Sequence, residues 1–355
     1  MKKTDDSNQK MSFYPIYAYS LLRSLNFTVQ GSLLPLIDRL ATSEKREAPK
    51  DFKQHIIEAL PKINALLKED AENIAAGYYP AQVLAPESLW SHAKRFPFLI
   101  GEAFASAKRR KNNVNKSFEL DTENILSESP EYYARNFHFQ NSGYLSSESA
   151  RLYEHQVEML FSGAANAMRR LILVDLKKRL NFSDGEGLNF LELGSGTGAL
   201  TQFVAQAFPK ANITCVDLSP YYLQEAKKKL QKFKRVNFIK ANAEDLPFKE
   251  KTFDVVYSCY MFHELPPAVR SKIMNESIRV AKPGALVGVV DSLQKDDDAD
   301  FEWALKQFPL DFHEPFFKSY VENPLQNLFA EVGLVGIEKK IGFLSKSVLA
   351  QLGSS

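Results

Sequence analysis

Residues 189–200 read Asn189-Phe190-Leu191-Glu192-Leu193-Gly194-Ser195-Gly196-Thr197-Gly198-Ala199-Leu200. A short apolar run predicts a buried strand, and it enters a glycine-rich turn that opens a helix. Glycines belong where a ligand must approach the backbone more closely than a Cβ permits. Outward from this stretch, the chain alternates β-rich runs with amphipathic helices, the pattern of parallel strands joined by helical crossovers. Strands are expected over 188–193, 213–218, 236–241, 253–259 and 285–291. The helix after the first strand places Leu200, Phe203, Val204, Ala207 and Phe208 on one face, and the next takes Ser219 as N-cap and Pro220 as its first residue. A helix over 266–282 is expected to stop at Pro283-Gly284. Beyond a polar insertion around 295–300, the runs 335–343 and 347–352 can close the sheet.

Upstream, apolar residues recur at helical spacing from about 16 to 107, for example Ile56, Leu60, Ile63 and Leu67, with breaks expected at Pro61, Tyr79-Pro80 and Pro86. The polar stretch 108–129, opening Lys108-Arg109-Arg110-Lys111, reads as an exposed linker or a solvated surface segment. The organisation expected is a helical amino-terminal region (1–120), a flanking segment with a cap helix starting near Ser146 or Ser147 and running to about Leu180 (121–185), and a ligand-binding α/β domain (186–355).

With 45 basic against 43 acidic residues, the formal charge of +2 gives no global field for a polyanion, so nucleic acid is not an expected partner. The two cysteines, Cys215 and Cys259, sit in apolar runs with no metal or disulfide spacing; both are expected to pack in the core, as suits a cytoplasmic protein. Asp5 and Asp6 follow Met1-Lys2-Lys3 with no cleavage-type apolar segment, against a secretory signal. Arg23 and Asp38 divide the most apolar stretch, so no membrane span is expected. For the basic run 108–111, a solvated face is favoured over peripheral contact with anionic lipid.

The glycine turn alone also fits a dinucleotide fingerprint, with Gly194, Gly196 and Ala199 in register, so an NAD-dependent oxidoreductase must be weighed. Glu192, two residues before the first glycine, would repel a pyrophosphate and welcome a cationic ligand. Asp217, ending the second strand, can accept both hydroxyls of a ribose. The stretch Ala241-Asn242-Ala243-Glu244-Asp245-Leu246-Pro247-Phe248 offers partners to an adenine edge, which a dinucleotide enzyme does not require.

Taken in order, the acidic-glycine motif, Asp217, Ala243-Glu244-Asp245-Leu246-Pro247-Phe248, Phe253-Asp254-Val255-Val256 and Arg279-Val280-Ala281-Lys282-Pro283-Gly284 resemble class I S-adenosylmethionine-dependent methyltransferases, within the small-molecule group related to quinone-ring methylases. The resemblance implies a Rossmann-like seven-stranded sheet, mostly parallel with the last strand antiparallel, and S-adenosylmethionine as cofactor. It implies that Gly194 and Gly196 line the methionine part, Glu192 lies near its amine, Asp217 holds the ribose, and Ala243 with Glu244 meets the adenine. Ser195, Gly198, Leu218, Asn242 and Ser258 complete the implied cofactor set. The function implied is C- or O-methylation of a small, partly apolar acceptor; the alternative is a catalytically silent cofactor-binding regulator or scaffold.

Acceptor-facing residues should follow the fourth and fifth strands. The fourth ends in Ser258-Cys259-Tyr260-Met261-Phe262-His263-Glu264-Leu265-Pro266, which departs from the quinone-ring pattern. His263 can take a proton as the methyl group is attacked, and Glu264 can orient it or serve instead. His313 is a second candidate, in the insertion that roofs such sites. The bland reading of either histidine is capping or packing. Phe137, Phe139, Tyr144, Phe312 and Phe316 are expected to enclose the acceptor. No metal is expected, since no carboxylate cluster is evident along the sequence.

Overall fold

The computed structural model describes residues 12–43, 51–87, 89–114, 116, 118, 122–140 and 142–353. The readings at Met1–Asp6 and at the 120/121 boundary lie outside them. Seven strands form one sheet: β1 (Asn189–Leu193), β2 (Asn212–Asp217), β3 (Val236–Lys240), β4 (Phe253–Cys259), β5 (Ala281–Ser292), β6 (Leu334–Gly342) and β7 (Ser345–Leu352). Their order is β3-β2-β1-β4-β5-β7-β6. The pairs among β1 to β5 are parallel, and β7 runs antiparallel to both β5 and β6. This is the expected Rossmann-like sheet with its last strand reversed.

Alternation along the strands sorts the core into two layers. Phe190, Ile213, Val255, Tyr257, Leu286 and Val290 face the helices Leu171–Arg179 and Ala199–Ala207, together with Ile16, Ile74 and Val83 of the amino-terminal region. Leu191, Leu193, Val216, Val256, Val287 and Val289 face Pro267–Val280 and Leu325–Glu331. Order reverses beside β1, with β2 on one side and β4 on the other, so a crevice opens at the carboxyl ends of these strands.

Several local expectations change. The helix Phe52–Ala75 runs through Pro61: the lost N–H bond and the crowding of the preceding turn are offset by packing of Ala59, Ile63, Leu66 and Leu67 in a hydrophobic cluster. The basic run is no linker: Lys108, Arg109, Arg110 and Lys111 form the last turn of the helix Leu89–Lys111. There Arg109 pairs with Glu102, Arg110 pairs with Asp38, and Lys111 Nζ donates to the Thr42 carbonyl at 2.8 Å. The cap helix begins as expected, Ser146 accepting from Ser149 N at 3.0 Å, but it breaks after Leu160 where Ser162 and Gly163 take positive φ, and resumes as two short helices, Ala165–Arg169 and Leu171–Arg179. The helix Pro267–Val280 ends before Pro283-Gly284, which lies inside β5 beside a register shift. The insertion after β5 contains the helices Glu302–Asp311, Phe317–Glu322 and Leu325–Glu331.

A buried ion pair pins the amino-terminal helix Phe52–Ala75 to the start of Leu171–Arg179, which packs on the sheet. Arg170 donates from Nε to Asp70 Oδ1 at 2.9 Å and from Nη2 to Oδ2 at 2.6 Å, Tyr79 Oη donates to Oδ1 at 2.8 Å, and both charged residues are under 5% exposed. Removing one partner strands the other charge in the interior. Asp70→Ala should therefore cost about 3–5 kcal/mol, read as a lowered urea midpoint. A loss below about 1 kcal/mol would show that the pair does not fasten the region.

Candidate active site

The turn after β1 leans on β2, since Ser195 N donates to the Val216 carbonyl at 3.0 Å. Gly194, Gly196 and Gly198 all take φ between +54° and +73°, where side chains are strained. Their surroundings differ. A Cβ on Gly194 would meet Met261 Sδ at 2.6 Å, and one on Gly198 would meet Leu230 Cδ1 at 2.6 Å, whereas one on Gly196 meets only Tyr222 Cδ1 at 3.9 Å. Gly198 thus serves packing of the turn against Pro220–Leu230, while Gly196 borders open space.

That space is a cleft enclosing about 980 Å³, lined among others by Glu192, Gly194, Ser195, Gly196, Asp217, Leu218, Asn242 and Ala243. Three cofactor candidates fall outside its lining. Gly198 packs as described. Ser258 is buried in β4, and its Oγ has no hydrogen-bond partner among the described residues. Glu244 accepts from Tyr132 Oη at 2.8 Å and donates from its backbone N to Asn242 Oδ1 at 3.0 Å, so it braces the loop.

Asp217 receives Gly196 N at 2.7 Å on Oδ2 and Ser219 N at 2.8 Å on Oδ1. Each oxygen keeps a further lone pair for a hydroxyl in the cleft. Burial outweighs these donors and lifts its pKa to about 6. Glu192 accepts from Thr201 Oγ1, and burial lifts its pKa to about 8. Two acids held at the edge of ionisation beside a glycine cradle suit a ligand bearing hydroxyls and positive charge.

The sequence reading missed several residues of this cleft. Glu154 Oε2 pairs with Arg169 Nη1 at 3.0 Å, and Thr197 Oγ1 donates to Glu154. Tyr132, Tyr133, Phe137, Tyr144, Tyr153, Tyr222 and Cys259 line the rest. Cys259 packs against the core as expected and is also a wall of the cleft, its thiol pKa raised by burial. Arg169-Arg170 inside an otherwise apolar run was the available signal, since such charges are buried only with partners.

A second cavity, about 640 Å³ and lined mainly by apolar residues, includes Val157, Leu160, Phe161, Leu305, Phe308, Phe317 and Leu344. Tyr153 and Tyr260 are walls of both cavities. Its polar groups include His138 and His263. His263 Nδ1 lies 2.6 Å from Asp291 Oδ1, and Asp291 is anchored by the backbone N–H groups of Phe262 at 2.8 Å and Ser292 at 2.7 Å. This fixes the imidazole with Nε2 away from Asp291, 3.8 Å from Glu264 Oε1. Burial lowers the His263 pKa, but the charge and hydrogen bond of Asp291 more than offset it and bring it to about 9.

Glu264 borders the first cleft and accepts from Tyr144 Oη. His313 lines neither cavity and packs against Phe139, ring centroids 5.8 Å apart. Of the expected aromatic enclosure, Phe137 and Tyr144 line the first cleft, Phe312 packs edge-on to His138, and Phe316 lies under Arg135. Phe139 is buried and His313 only partly so.

Residues 190–284 match the family described as "Methyltransferase domain". A fatty-acid O-methyltransferase of Mycolicibacterium smegmatis is 28% identical over 164 residues, 46% of this chain and 53% of that protein. A malonyl-[acyl-carrier protein] O-methyltransferase of Geobacter sulfurreducens is 29% identical over 163 residues, 45% of this chain and 60% of that one. The chloroplastic 2-methyl-6-phytyl-1,4-hydroquinone methyltransferase 1 of Oryza sativa subsp. japonica is 33% identical over 104 residues, 29% and 31% of the two chains. The matched segments thus span about a third to three fifths of these relatives. Sheet order, glycine turn and family match together make 190–284 a class I methyltransferase domain, whose cofactor is S-adenosylmethionine.

Proposed function

We propose that the chain transfers a methyl group from S-adenosylmethionine to an oxygen or carbon of a small acceptor with an apolar body. The observation that carries this reading is the junction of two cavities at Tyr153 and Tyr260, one holding the glycine turn and Asp217, the other apolar with His263 in its wall. When bound, S-adenosylmethionine supplies a sulfonium-activated methyl group. The chain's own residues do the rest: Asp217 holds the ribose hydroxyls, Gly194, Ser195 and Gly196 border the methionine part, Glu192 offers charge to its amine, and Asn242 and Ala243 meet the adenine. The apolar walls exclude water and align the acceptor. His263, oriented by Asp291, takes the proton of the acceptor at Nε2, with Glu264 beside it. The relatives named for fatty-acid and malonyl O-methylation favour oxygen as the atom modified.

Incubation with methyl-labelled S-adenosylmethionine and an extract of small metabolites should label an extractable, partly apolar product. Binding of S-adenosylhomocysteine without label transfer to any fraction would instead support a silent binding protein. NAD should not raise the melting temperature, whereas S-adenosylhomocysteine should.

The raised acid Glu192 gives a pH test with two opposite signs. Its folded pKa of about 8 exceeds the usual carboxylate value, so between about 4.5 and 8 the folded state keeps a proton that the unfolded chain has lost. Its contribution to stability without ligand therefore falls as pH rises through that window. Affinity for the cofactor's ammonium group rises over the same window, because only the ionised carboxylate attracts it. Glu192→Gln should flatten both trends, measured by thermal melts and by calorimetry with S-adenosylhomocysteine. Affinity independent of pH in the wild type would remove Glu192 from the amine.

A further inference from the structure

Between the two cavities Glu264 meets two further side chains, His138 and Glu314, that neither cofactor binding nor proton removal by His263 accounts for. His138, Glu264 and Glu314 come from three separate loops, and one ligand atom of each lies within 4.8 Å of the other two. His138 Nε2 is 3.6 Å from Glu264 Oε1, and its Nδ1 is 3.3 Å from Glu314 Oε1. The Glu314 side chain is fully buried, yet neither of its oxygens has a hydrogen-bond partner among the described residues; the His138 contact lacks hydrogen-bond alignment. A carboxylate left so is costly unless a cation or a proton meets it. No lysine or arginine pairs with Glu264 or Glu314 among the described residues, and the imidazole of His263 is committed to Asp291. His138, in which burial is outweighed by the two carboxylates so that its pKa is raised, is the cationic group that stands between them, and a metal ion would take its place as their counter-charge.

We propose that His138, Glu264 and Glu314 bind one divalent first-row transition-metal ion at the boundary between the donor and acceptor cavities. One imidazole with two carboxylates, and no thiolate, suits Mn²⁺, Fe²⁺ or Zn²⁺ better than Mg²⁺ or Cu⁺. Donors about 2.0–2.2 Å from a common ion stand roughly 3–3.6 Å apart. His138 faces Glu264 through Nε2 and Glu314 through Nδ1, and one ion takes only one of these nitrogens, so from separations of up to 4.8 Å the three donors must draw together on binding. Gathering all three onto one ion requires the Glu314 carboxylate to turn, and no hydrogen bond holds it back. Glu264 borders the donor cleft and His138 the apolar cavity, so the ion faces both. An acceptor oxygen bound there would be polarised and its proton more readily lost, which deepens the methyl-transfer reading.

The test needs neither donor nor acceptor, so its failure is separate from failure of that reading. The full chain, stripped with a chelator and dialysed, is titrated with Mn²⁺ and Zn²⁺, and with Mg²⁺ for comparison. One equivalent of Mn²⁺ or Zn²⁺ should bind, raise the melting temperature, and bind at least tenfold more tightly than Mg²⁺. Glu314→Gln and His138→Gln should each lose at least tenfold in affinity and most of the thermal shift, while Glu314→Gln without metal melts no lower than wild type. Wild-type protein that binds neither ion overturns the proposal. So does binding that both variants retain unchanged. If one variant fails to fold, the other and the wild-type stoichiometry decide.

Discussion

Replacing His263 by alanine should lower turnover by roughly a hundredfold or more, the usual range for losing a general base, while leaving affinity for S-adenosylhomocysteine nearly intact. The expectation rests on the fixed orientation of the ring: Asp291 holds Nδ1 at 2.6 Å, and Nε2 is left for a proton from the acceptor. The pH dependence follows in sign. With its pKa raised to about 9, His263 is imidazolium at neutral pH, and only the neutral ring can take a proton. Turnover should therefore climb with pH until about 9 and level off. His263→Asn, which keeps much of the shape but cannot titrate, should lose that limb together with the rate. A wild-type profile that instead falls as pH rises would mean that the imidazolium holds the acceptor and is no base.

Asp217→Ala should weaken S-adenosylhomocysteine on the order of a hundredfold or more. Hydrogen bonds to a charged group contribute about 1.5–3 kcal/mol each, two ribose hydroxyls are at stake, and every 1.4 kcal/mol is about tenfold. The same carboxylate anchors Gly196 N and Ser219 N, so the variant also loosens the glycine turn. Asp217→Asn separates the two effects. Its amide oxygen can still accept one backbone N–H, so the fold should melt near wild type while affinity stays poor. Calorimetry showing normal affinity in either variant would place the ribose elsewhere.

The gathering of residues around the glycine turn was legible because its determinants are local. A strand, a glycine turn and a helix follow one another within 189–200, and the acid at 217 ends the next strand, so spacing alone brings them together. The Ser219 cap was legible for the same reason: its bond to Tyr222 N spans three residues. The grouping at the second cavity was not. His138 stands 126 residues from Glu264 and Glu314 another 50 beyond, so only the folded chain shows that they meet. Asp291 left one trace, a lone acid ending the apolar run 285–291, but nothing local names His263 as its partner. Pro61 misled because its cost to a helix is set by the packing around it, which a pattern does not contain.

The position of β7 bears on how the chain is made. It is the last strand in sequence, yet it lies between β5 and β6. During synthesis β1 to β5 can assemble as soon as they leave the ribosome, but β6 has no neighbour until residues 345–352 emerge to separate it from β5. Until then β5 presents an unpaired edge, the kind of surface on which nascent chains stick to one another. A stop codon after Gly342 would make that interval permanent, and the shortened product should collect in the insoluble fraction.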